Sequence, residues 1–434
     1  MKHSSGLTTE ELEKALGTYY RALEPYQLGP RPADAGMFER VSQRRDLWPF
    51  LRVAASLGVV GSLLGVLLVP RFFGAVPVAA PIALSPASSA ETGMQVDRAG
   101  LMRSGGIWAT RGSQLFTSTD NGSTWQSGTF PVPGSTGVQP IVDVFVLDSQ
   151  HAWSVSLALA VTSETPLTGL AKLSISRTTD GGRTWQQTDA PSQCTYPTAR
   201  LSFADIEHGF LVCADVGIIA RTVDGGATWV VAGACSNLGS AIVASDQSTL
   251  WAAQSQASSG PASVLVVSRD EGQTCMSVPL PGLDSAPSNA TLSAPVPPTF
   301  TDAAHGLVAV SVDVPLQSPK VEFFRTTDAG QTWTEVSKQL AGHFNQMAEV
   351  AQVADGSRLV TVAAQHLSVS ADDGSSWQEF DAAGLPENEA ITWIAFTDAS
   401  NGVALVFVGP GPSGLMQTND GGRTWHAANV GVRH

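Results

Sequence analysis

Seven aspartates recur at nearly regular intervals, and carboxylates in such numbers could bind calcium or transfer protons. The intervals between them are 60, 44, 46, 58, 44 and 48 residues. The seven residues are Asp120, Asp180, Asp224, Asp270, Asp328, Asp372 and Asp420. Because a group that is required once in every repeat is typical of a folding device, we interpret these carboxylates as structural rather than catalytic.

Each aspartate lies in an eight-residue segment with the pattern S/T-x-D-x-G-x-T/S-W, which we call a box turn. We expect the carboxylate to accept backbone N–H bonds, as in an Asx turn, and the glycine to allow a positive φ. The tryptophan begins the next strand and is expected to pack under the turn. The glycines and tryptophans of the seven segments are Gly122, Trp125, Gly182, Trp185, Gly226, Trp229, Gly272, Gly330, Trp333, Gly374, Trp377, Gly422 and Trp425, with Cys275 in the place of the fourth tryptophan.

A second motif, F-x-D-x-x-H/N-G, precedes the later box turns. It is clearest in residues 203–210, 300–307 and 396–403, and looser in residues 146–153 and 244–251. His151, His208 and His305 occupy the same place in this motif and could be read as metal ligands. Since Asn401 and Thr249 fill that place in other repeats, we predict turn residues and no metal site.

A repeat of about 50 residues with two turns is typical of a four-stranded propeller blade. The box turn resembles the Asp-box, or bacterial neuraminidase repeat, over about residues 98–434. Its pairing with the second motif resembles the propellers of photosystem II stability/assembly factor-like proteins. We therefore expect an all-β, seven-bladed Asp-box β-propeller over residues 98–434. The resemblance implies an assembly- or stability-factor role and places the box turns on the outer rim.

The chain before residue 98 predicts a membrane tether. An uncharged apolar run, Val53–Val69, follows four arginines, so a single transmembrane helix within residues 48–73 would leave the N-terminus in the cytoplasm. Residues 1–47 form a cytoplasmic segment whose short helix begins near Thr8, and residues 74–97 are an Ala/Pro/Ser-rich linker. The apolar run could instead be a buried core helix or a cleaved signal peptide. The short helix could dock on a partner or the membrane surface, or be a weakly ordered tail.

Composition limits the function classes. The chain has 434 residues, 43% of them apolar, and a net charge of −14, which argues against disorder and against nucleic-acid binding.

All four cysteines, Cys194, Cys213, Cys235 and Cys275, follow the predicted span, which fits two disulfides in an exported domain. Three pairings are possible. We favour Cys194–Cys213 with Cys235–Cys275, because a covalent link at Cys275 would replace the packing of the missing tryptophan.

Sialidase activity is the most specific enzyme hypothesis, and the residues of this chain do not support it. Such enzymes, which share the box, need an arginine cluster and a tyrosine nucleophile. Tyr196 is the only tyrosine after the predicted span, and Arg177, Arg221 and Arg325 each directly precede a box turn. We therefore predict no enzyme activity and no cofactor.

The first hypothesis is a membrane-anchored, extracytoplasmic module that binds a protein partner, and the alternative is a single-pass sensor whose propeller detects a ligand.

Overall fold

The described residues form mainly strands and turns. The computed structural model describes residues 94–131, 141–158, 172–194, 198–236, 238–254, 265–283, 286, 290–293, 297–300, 302–315, 317, 320–336, 340–341, 349–352, 359–363, 366–370, 376–385, 390–407 and 413–428. They belong to the second of the two units into which the chain divides, Pro86–His434. These residues contain 31 strands, which pair into seven antiparallel sheets. We number the sheets in chain order.

Sheets 1 to 4 share one arrangement, in which four strands pair in the order in which they occur along the chain. A two-residue strand, β1 (Gln95–Val96), precedes them. Sheets 1 and 2 contain β2 (Arg98–Leu101), β3 (Ile107–Arg111), β4 (Gln114–Ser118) and β5 (Gln126–Thr129), then β6 (Ile141–Val146), β7 (Ala152–Ala158), β8 (Lys172–Thr178) and β9 (Gln186–Asp189). Sheets 3 and 4 contain β10 (Ala199–Phe203), β11 (Gly209–Cys213), β12 (Ile218–Thr222) and β13 (Val230–Ala234), then β14 (Leu238–Ala244), β15 (Leu250–Gln254), β16 (Leu265–Ser268) and β17 (Met276–Val278).

Sheets 5 to 7 keep the same plan with additions. Sheet 5 contains β18 (Thr291–Ser293), β19 (Thr299–Phe300), β20 (Gly306–Asp313), β21 (Lys320–Thr326), β22 (Thr334–Glu335) and β23 (Leu340–Ala341). Sheets 6 and 7 contain β24 (Glu349–Gln352), β25 (Leu359–Ala363), β26 (His366–Ser370) and β27 (Gln378–Asp381), then β28 (Ala390–Phe396), β29 (Gly402–Phe407), β30 (Ser413–Thr418) and β31 (His426–Ala427). Both β18 and β19 pair with β20, and both β22 and β23 pair with β21.

The last sheet is completed by the start of the described chain. β1 pairs with β30, with Gln95 opposite Gly414 and Val96 opposite Ser413, and β31 pairs with the same strand. Two ends that are far apart in sequence therefore share the outer position of sheet 7. Among the described residues, the first strand thus begins at Gln95, three residues before the predicted start of the propeller.

The first strand of each sheet is the inner one. β10 contacts both β6 and β14, and β24 contacts β28, although these strands belong to different sheets. The apolar core lies between neighbouring sheets rather than within one. For example, Val212 of sheet 3 clusters with Ala252 of sheet 4, and Leu415 of sheet 7 clusters with Phe116 of sheet 1. Each sheet therefore depends on its neighbours for the burial of its faces.

The prediction of an all-β propeller is confirmed. Within the part of the chain that the structure describes, no helix is long and apolar enough to cross a membrane. The predicted cytoplasmic helix and the predicted span at residues 48–73 both lie outside the described residues. So does most of the predicted linker, of which only residues 94–97 are described.

Val96 tests the contribution of β1 to ring closure. Its side chain is fully buried in a cluster with Leu415 and Trp125. We expect Val96→Ala to lower the free energy of unfolding by about 2 kcal/mol, because it opens a cavity at the closure. Urea denaturation measures the effect. Gln95→Ala, at the exposed neighbouring position, should change it by less than about 0.5 kcal/mol. Equal effects of the two variants would show that β1 does not contribute to closure.

Candidate functional site

The described box carboxylates accept hydrogen bonds within their own turns. In the second box turn, Asp180 Oδ1 accepts hydrogen bonds from the Thr178 hydroxyl at 2.8 Å and from the Thr184 backbone N–H at 2.9 Å. Its Oδ2 accepts a hydrogen bond from the Thr184 hydroxyl at 2.6 Å. These bonds hold the pKa of Asp180 at about 2, below the ordinary 3.8. The same bonds recur at Asp120, Asp224, Asp270, Asp328 and Asp420.

The sixth box turn is only partly described. Asp372 and Gly374 lie outside the described residues, whereas Trp377 is described and packs on Phe323 with ring centroids 5.4 Å apart. Tyr196, considered above as a nucleophile, also lies outside them. The Arg177 guanidinium donates to the backbone carbonyl of Asp224 in the next sheet at 2.7 Å, so it joins two sheets instead of entering an arginine cluster. Arg221 likewise pairs with Glu271 of the next sheet.

The glycine of each described box turn has a positive φ, and so does the residue before it. In three turns that preceding residue is not glycine: Asn121, Glu271 and Ala329 have φ values of 55°, 61° and 56°. A side chain disfavours this left-handed conformation, although asparagine tolerates it best. Sequence reasoning expected the positive φ only at the glycine, because the pattern leaves the preceding position free.

The second motif forms a turn between the first and second strands of a sheet, which we call the inner turn. In sheet 3, Asp205 Oδ1 accepts the backbone N–H groups of Glu207 and His208 at 2.8 and 2.7 Å, and its carboxylate also bonds His208 Nδ1 at 3.0 Å. The Glu207 carbonyl then accepts the Gly225 N–H of the box turn at 2.8 Å. Each inner turn thus supports the box turn of its own sheet.

The histidines have the structural position that their pattern predicts. His151 and His305 bond Asp148 and Asp302 as His208 bonds Asp205, and Asn401 bonds Asp398 in the same way. Among the described residues, no group of three or more His, Cys, Asp or Glu side chains is placed to hold a metal ion. The three histidines are therefore distributed over sheets 2, 3 and 5, one to an inner turn.

The box tryptophan joins two sheets. Trp185 of sheet 2 packs on Phe130, which follows the outer strand of sheet 1, with ring centroids 5.2 Å apart. Equivalent pairs share a hydrophobic cluster at four other boundaries: Trp125 with Ala428, Trp333 with Leu280, Trp377 with Val336 and Trp425 with Ala382. The tryptophan was expected to pack under its own turn. It does donate its indole N–H to the box glycine carbonyl at Trp125, Trp185 and Trp425, but its ring also covers the preceding sheet.

Both disulfides are next to sheet 3. The structure pairs Cys194 with Cys213 and Cys235 with Cys275, with Cα atoms 5.6 and 6.0 Å apart, which is the arrangement favoured above. Cys235 follows the outer strand β13, and Cys275 stands in the tryptophan position of the fourth box turn. The second disulfide therefore links sheets 3 and 4 at the place where Trp185 and Phe130 link sheets 1 and 2.

A charged group joins the inner strands of three sheets. Arg98 of β2 donates to Asp143 of β6 at 3.5 Å, and Asp143 accepts the Leu201 N–H of β10 at 2.8 Å. Burial raises the pKa of the Asp143 carboxyl, and the nearby Arg200 and Arg98 oppose that rise. We call these residues, Arg98, Asp143 and Arg200, the axial cluster. Sequence reasoning missed it, although one charged residue inside the apolar strand Ile141–Val146 was a usable indication.

Arg103 connects sheet 1 to sheets 3 and 4. It lies in the turn between β2 and β3, and its guanidinium donates to the carbonyls of Phe203, Ala244 and Ser245 at 2.9, 2.6 and 2.9 Å. These acceptors belong to the ends of the inner strands of sheets 3 and 4. Burial lowers the pKa of Arg103, and Asp205 and Asp246 act in the opposite direction. One side chain from sheet 1 therefore binds the inner-turn ends of sheets 3 and 4, neither of which is next to sheet 1 in the chain.

Comparison with known proteins identifies the fold. No protein-family model matches the chain, and no curated protein matches it. Among solved structures, YCF48 bound to D1 peptide aligns with 76% of this chain and 95% of its own, at a TM-score of 0.50 and 17% identity.

Two glycoside hydrolase structures are also similar. The GH74 enzyme of Niastella koreensis aligns with 78% of this chain at a TM-score of 0.52 and 14% identity. The GH74 xyloglucanase of Xanthomonas campestris aligns with 78% at a TM-score of 0.50 and 15% identity. This chain covers 55% of each of those chains. At such identities the likeness shows the propeller fold alone, because one fold carries many functions.

The lowered carboxyl pKa values predict acid sensitivity. Asp180, Asp224, Asp328, Asp205 and Asp302 have folded-state pKa values of about 2, against 3.8. The contribution of these carboxylates to the free energy of unfolding should be complete above pH 4. It should be lost as the pH falls from 4 towards 2, because protonation then favours the unfolded chain. Thermal unfolding from pH 6 to pH 2 measures it. Asp180→Asn should be less stable at pH 6, and its deficit should shrink by pH 2. A deficit that does not depend on pH would contradict the assignment.

Ala329 tests the strain in the box turns. We expect Ala329→Gly to raise the free energy of unfolding by up to about 1 kcal/mol, because glycine adopts the left-handed conformation without steric cost. The reciprocal control is Gly181→Ala at the equivalent position, where φ is 72° and a Cβ would lie 2.9 Å from the Ser149 carbonyl oxygen. The free energy of unfolding of that variant should be lower than that of the parent by at least about 1 kcal/mol. Denaturant midpoints compare the stability of both variants with that of the parent. A lower stability of Ala329→Gly would contradict the presence of backbone strain at Ala329.

Proposed function

We propose that this chain is a membrane-anchored, extracytoplasmic, seven-bladed Asp-box propeller that binds a protein partner without catalysis. The main observation behind the proposal is that the repeated carboxylates accept hydrogen bonds within their own turns. Asp180, for instance, accepts three hydrogen bonds from Thr178 and Thr184 and has a pKa of about 2, so it holds no proton to donate at neutral pH. Such a carboxylate is a poor general acid.

The seven sheets and the closure by β1 support a ring of seven blades. Successive sheets share apolar clusters, and the outer position of sheet 7 is shared by β1 and β31. Closure of this kind joins the two ends of the described propeller chain in one sheet. The hydrogen-bonded box turns support the resemblance to Asp-box proteins, since the motif residues bond one another as an Asx turn requires.

Protein binding is supported by one propeller of similar fold, YCF48, which is bound to D1 peptide. The motif pair of this chain also resembles photosystem II stability/assembly factor-like proteins, which favours an assembly or stability role. Anchoring is supported by the uncharged run Val53–Val69 and its preceding arginines. An exported location suits two disulfides beside sheet 3.

Cross-linking in the native host tests the binding function. We expect chemical cross-linking of the full-length, affinity-tagged protein to recover one defined protein, which should co-elute with the purified chain in gel filtration. The same preparation should not hydrolyse fluorogenic sialosides or xyloglucan oligosaccharides. Turnover that follows the purified protein would contradict the non-catalytic function. Failure to recover any co-eluting protein would contradict partner binding.

Membrane topology and signalling are tested on the same cells. Alkaline extraction should leave the full-length chain in the membrane, and external protease should cut the propeller while an N-terminal tag stays protected. Release of the chain by alkali would contradict anchoring. A cytoplasmic protein that is captured by the parent but lost on deletion of residues 1–47 would favour the alternative, a single-pass sensor.

A further inference from the structure

The axial cluster carries an excess of positive charge at the starts of the inner strands. Arg98 is the first residue of β2 and Arg200 the second of β10, and β6, from the sheet between them in chain order, contributes Asp143. Guanidiniums stay protonated, so two positive charges face at most one negative charge. The surroundings are acidic by contrast, because residues 53–434 contain 16 Lys/Arg and 31 Asp/Glu, a net charge of −15.

Asp97 does little to cancel this excess. Its carboxylate accepts the backbone N–H of Gly112, in the turn between β3 and β4. Of the charges that act on Arg98, Asp143 is the strongest, Arg200 follows, and Asp97 is the weakest. Within the described residues, Asp143 is therefore the main acidic partner of Arg98.

The guanidiniums of the axial cluster use few of their hydrogen-bond donors. Among the described residues, Arg98 donates only to Asp143 Oδ1, at 3.5 Å, and Arg200 donates only to the Ala199 carbonyl, at 2.9 Å. Arg103, at the other end of the inner strands, donates to three carbonyls. A guanidinium presents its N–H groups as a fork that fits an oxyanion. The donors that Arg98 and Arg200 do not use can therefore bind an anion.

The axial cluster is accessible from the starts of the inner strands. The Arg98 side chain is 40% exposed and that of Asp143 16%, and Arg200 is half-buried. At the opposite end, the Arg103 guanidinium binds the carbonyls of Phe203 and Ala244, the last residues of β10 and β14. A ligand would therefore reach the cluster from the end that is remote from Arg103.

Backbone irregularities concentrate at the same end. Among the described strand pairs, four have a register shift, and three of these lie near the start of an inner strand, at residues 141–143 of β6, 238–242 of β14 and 391–393 of β28. The shift in β6 directly precedes Asp143. Bulges redirect side chains and are over-represented next to functional sites. The unused donors and the bulges are independent observations that indicate one place.

Charge and geometry indicate the class of ligand. A carboxylate is a monoanion whose two oxygens accept parallel N–H bonds from a guanidinium. Bound to Arg98 and Arg200, it would balance the one positive charge that Asp143 leaves over. A phosphate dianion would bring a second negative charge close to Asp143, and a cation would meet two guanidiniums. A carboxylate is therefore the group that this cluster fits best.

We propose that Arg98 and Arg200 form a carboxylate-binding site at the starts of the inner strands. Asp143 is a positioning residue, because its Oδ1 orients Arg98 while its Oδ2 is held by the Leu201 N–H at 2.8 Å. The carboxylate belongs to a small organic acid or to the C-terminus of a polypeptide, which share this chemistry. The inference goes beyond the proposed function, because the site does not require a protein partner.

Fluorine NMR tests the site on the full-length protein in detergent, at neutral pH and constant ionic strength. The probe is 4-fluorobenzoate, and 4-fluorobenzamide is its uncharged control. We expect saturable binding of the benzoate and none of the benzamide, because only the carboxylate pairs with the guanidiniums. Acetate should displace the probe, and phosphate at the same concentration should displace less of it. Absence of saturable binding, or equal binding of the amide, would overturn the proposal.

A peptide pair distinguishes the two sources of the carboxylate. N-acetyl-trialanine with a free C-terminus and its C-terminal amide each compete with the probe. Stronger competition by the peptide acid than by acetate would assign the site to a polypeptide C-terminus. Equal or weaker competition would assign it to a small organic acid. Displacement by the amide as strong as that by the peptide acid would contradict carboxylate recognition.

Variants locate the binding on the protein. Arg200→Gln removes the charge but can still donate to the Ala199 carbonyl, and it should weaken probe binding by about tenfold. Arg183→Gln is the matched control, because it makes the same change of net charge at an exposed position in the box turn of sheet 2. It should change the affinity by less than about twofold. Asp143→Asn keeps an oxygen for the Leu201 N–H and removes a negative charge, so it should bind the probe about threefold more tightly.

The outcomes separate this inference from the proposed function. Urea midpoints show which variants are folded before affinities are compared. Unchanged affinity in folded Arg200→Gln, or weaker binding in folded Asp143→Asn, would overturn the carboxylate site. If Asp143→Asn does not fold, the comparison of Arg200→Gln with Arg183→Gln decides alone. Recovery of a cross-linked partner without probe binding would leave the proposed function intact. Probe binding without a recovered partner would contradict partner binding and leave the carboxylate site standing.

Discussion

The packing of one sheet on the next is the constraint on which this molecule depends. Each sheet is only four to six strands wide, so it cannot bury its own apolar faces. The box tryptophan meets this requirement by covering the residue that follows the preceding outer strand, as Trp185 covers Phe130. The box turn is thus both a local turn and a link between sheets. Where tryptophan is missing, the Cys235–Cys275 disulfide makes the link instead.

The two motifs of each repeat act as one unit within a sheet. In sheet 3, Asp205 fixes the inner turn, Asp224 fixes the box turn, and the Gly225 N–H joins the two turns through the Glu207 carbonyl. Phe203 of the inner turn also meets Trp229 of the box turn, with ring centroids 6.0 Å apart. Many of the acidic residues of the chain are therefore structural. The acidic composition by itself is consequently no indication of a cationic substrate.

The centre of the molecule is held by a few charged side chains. The axial cluster joins the inner strands of sheets 1 to 3, and Arg103 extends that connection to sheet 4. Buried charges of this kind add little net stability, because desolvation offsets most of their attraction. Together with β1, they place sheets that are distant in sequence in a fixed order.

The sequence alone was sufficient for features that depend on near neighbours. Thr178 and Thr184 each lie within four residues of Asp180, so the box turn and its period could be predicted from the sequence pattern. Only the tertiary structure placed Phe130 against Trp185, Arg103 against Ala244, and β1 against β30. These contacts join residues 55, 141 and about 320 positions apart, and they form only when the sheets are assembled. The positive φ of Glu271 and Ala329 is likewise imposed by the assembled turn, because neither residue favours that conformation.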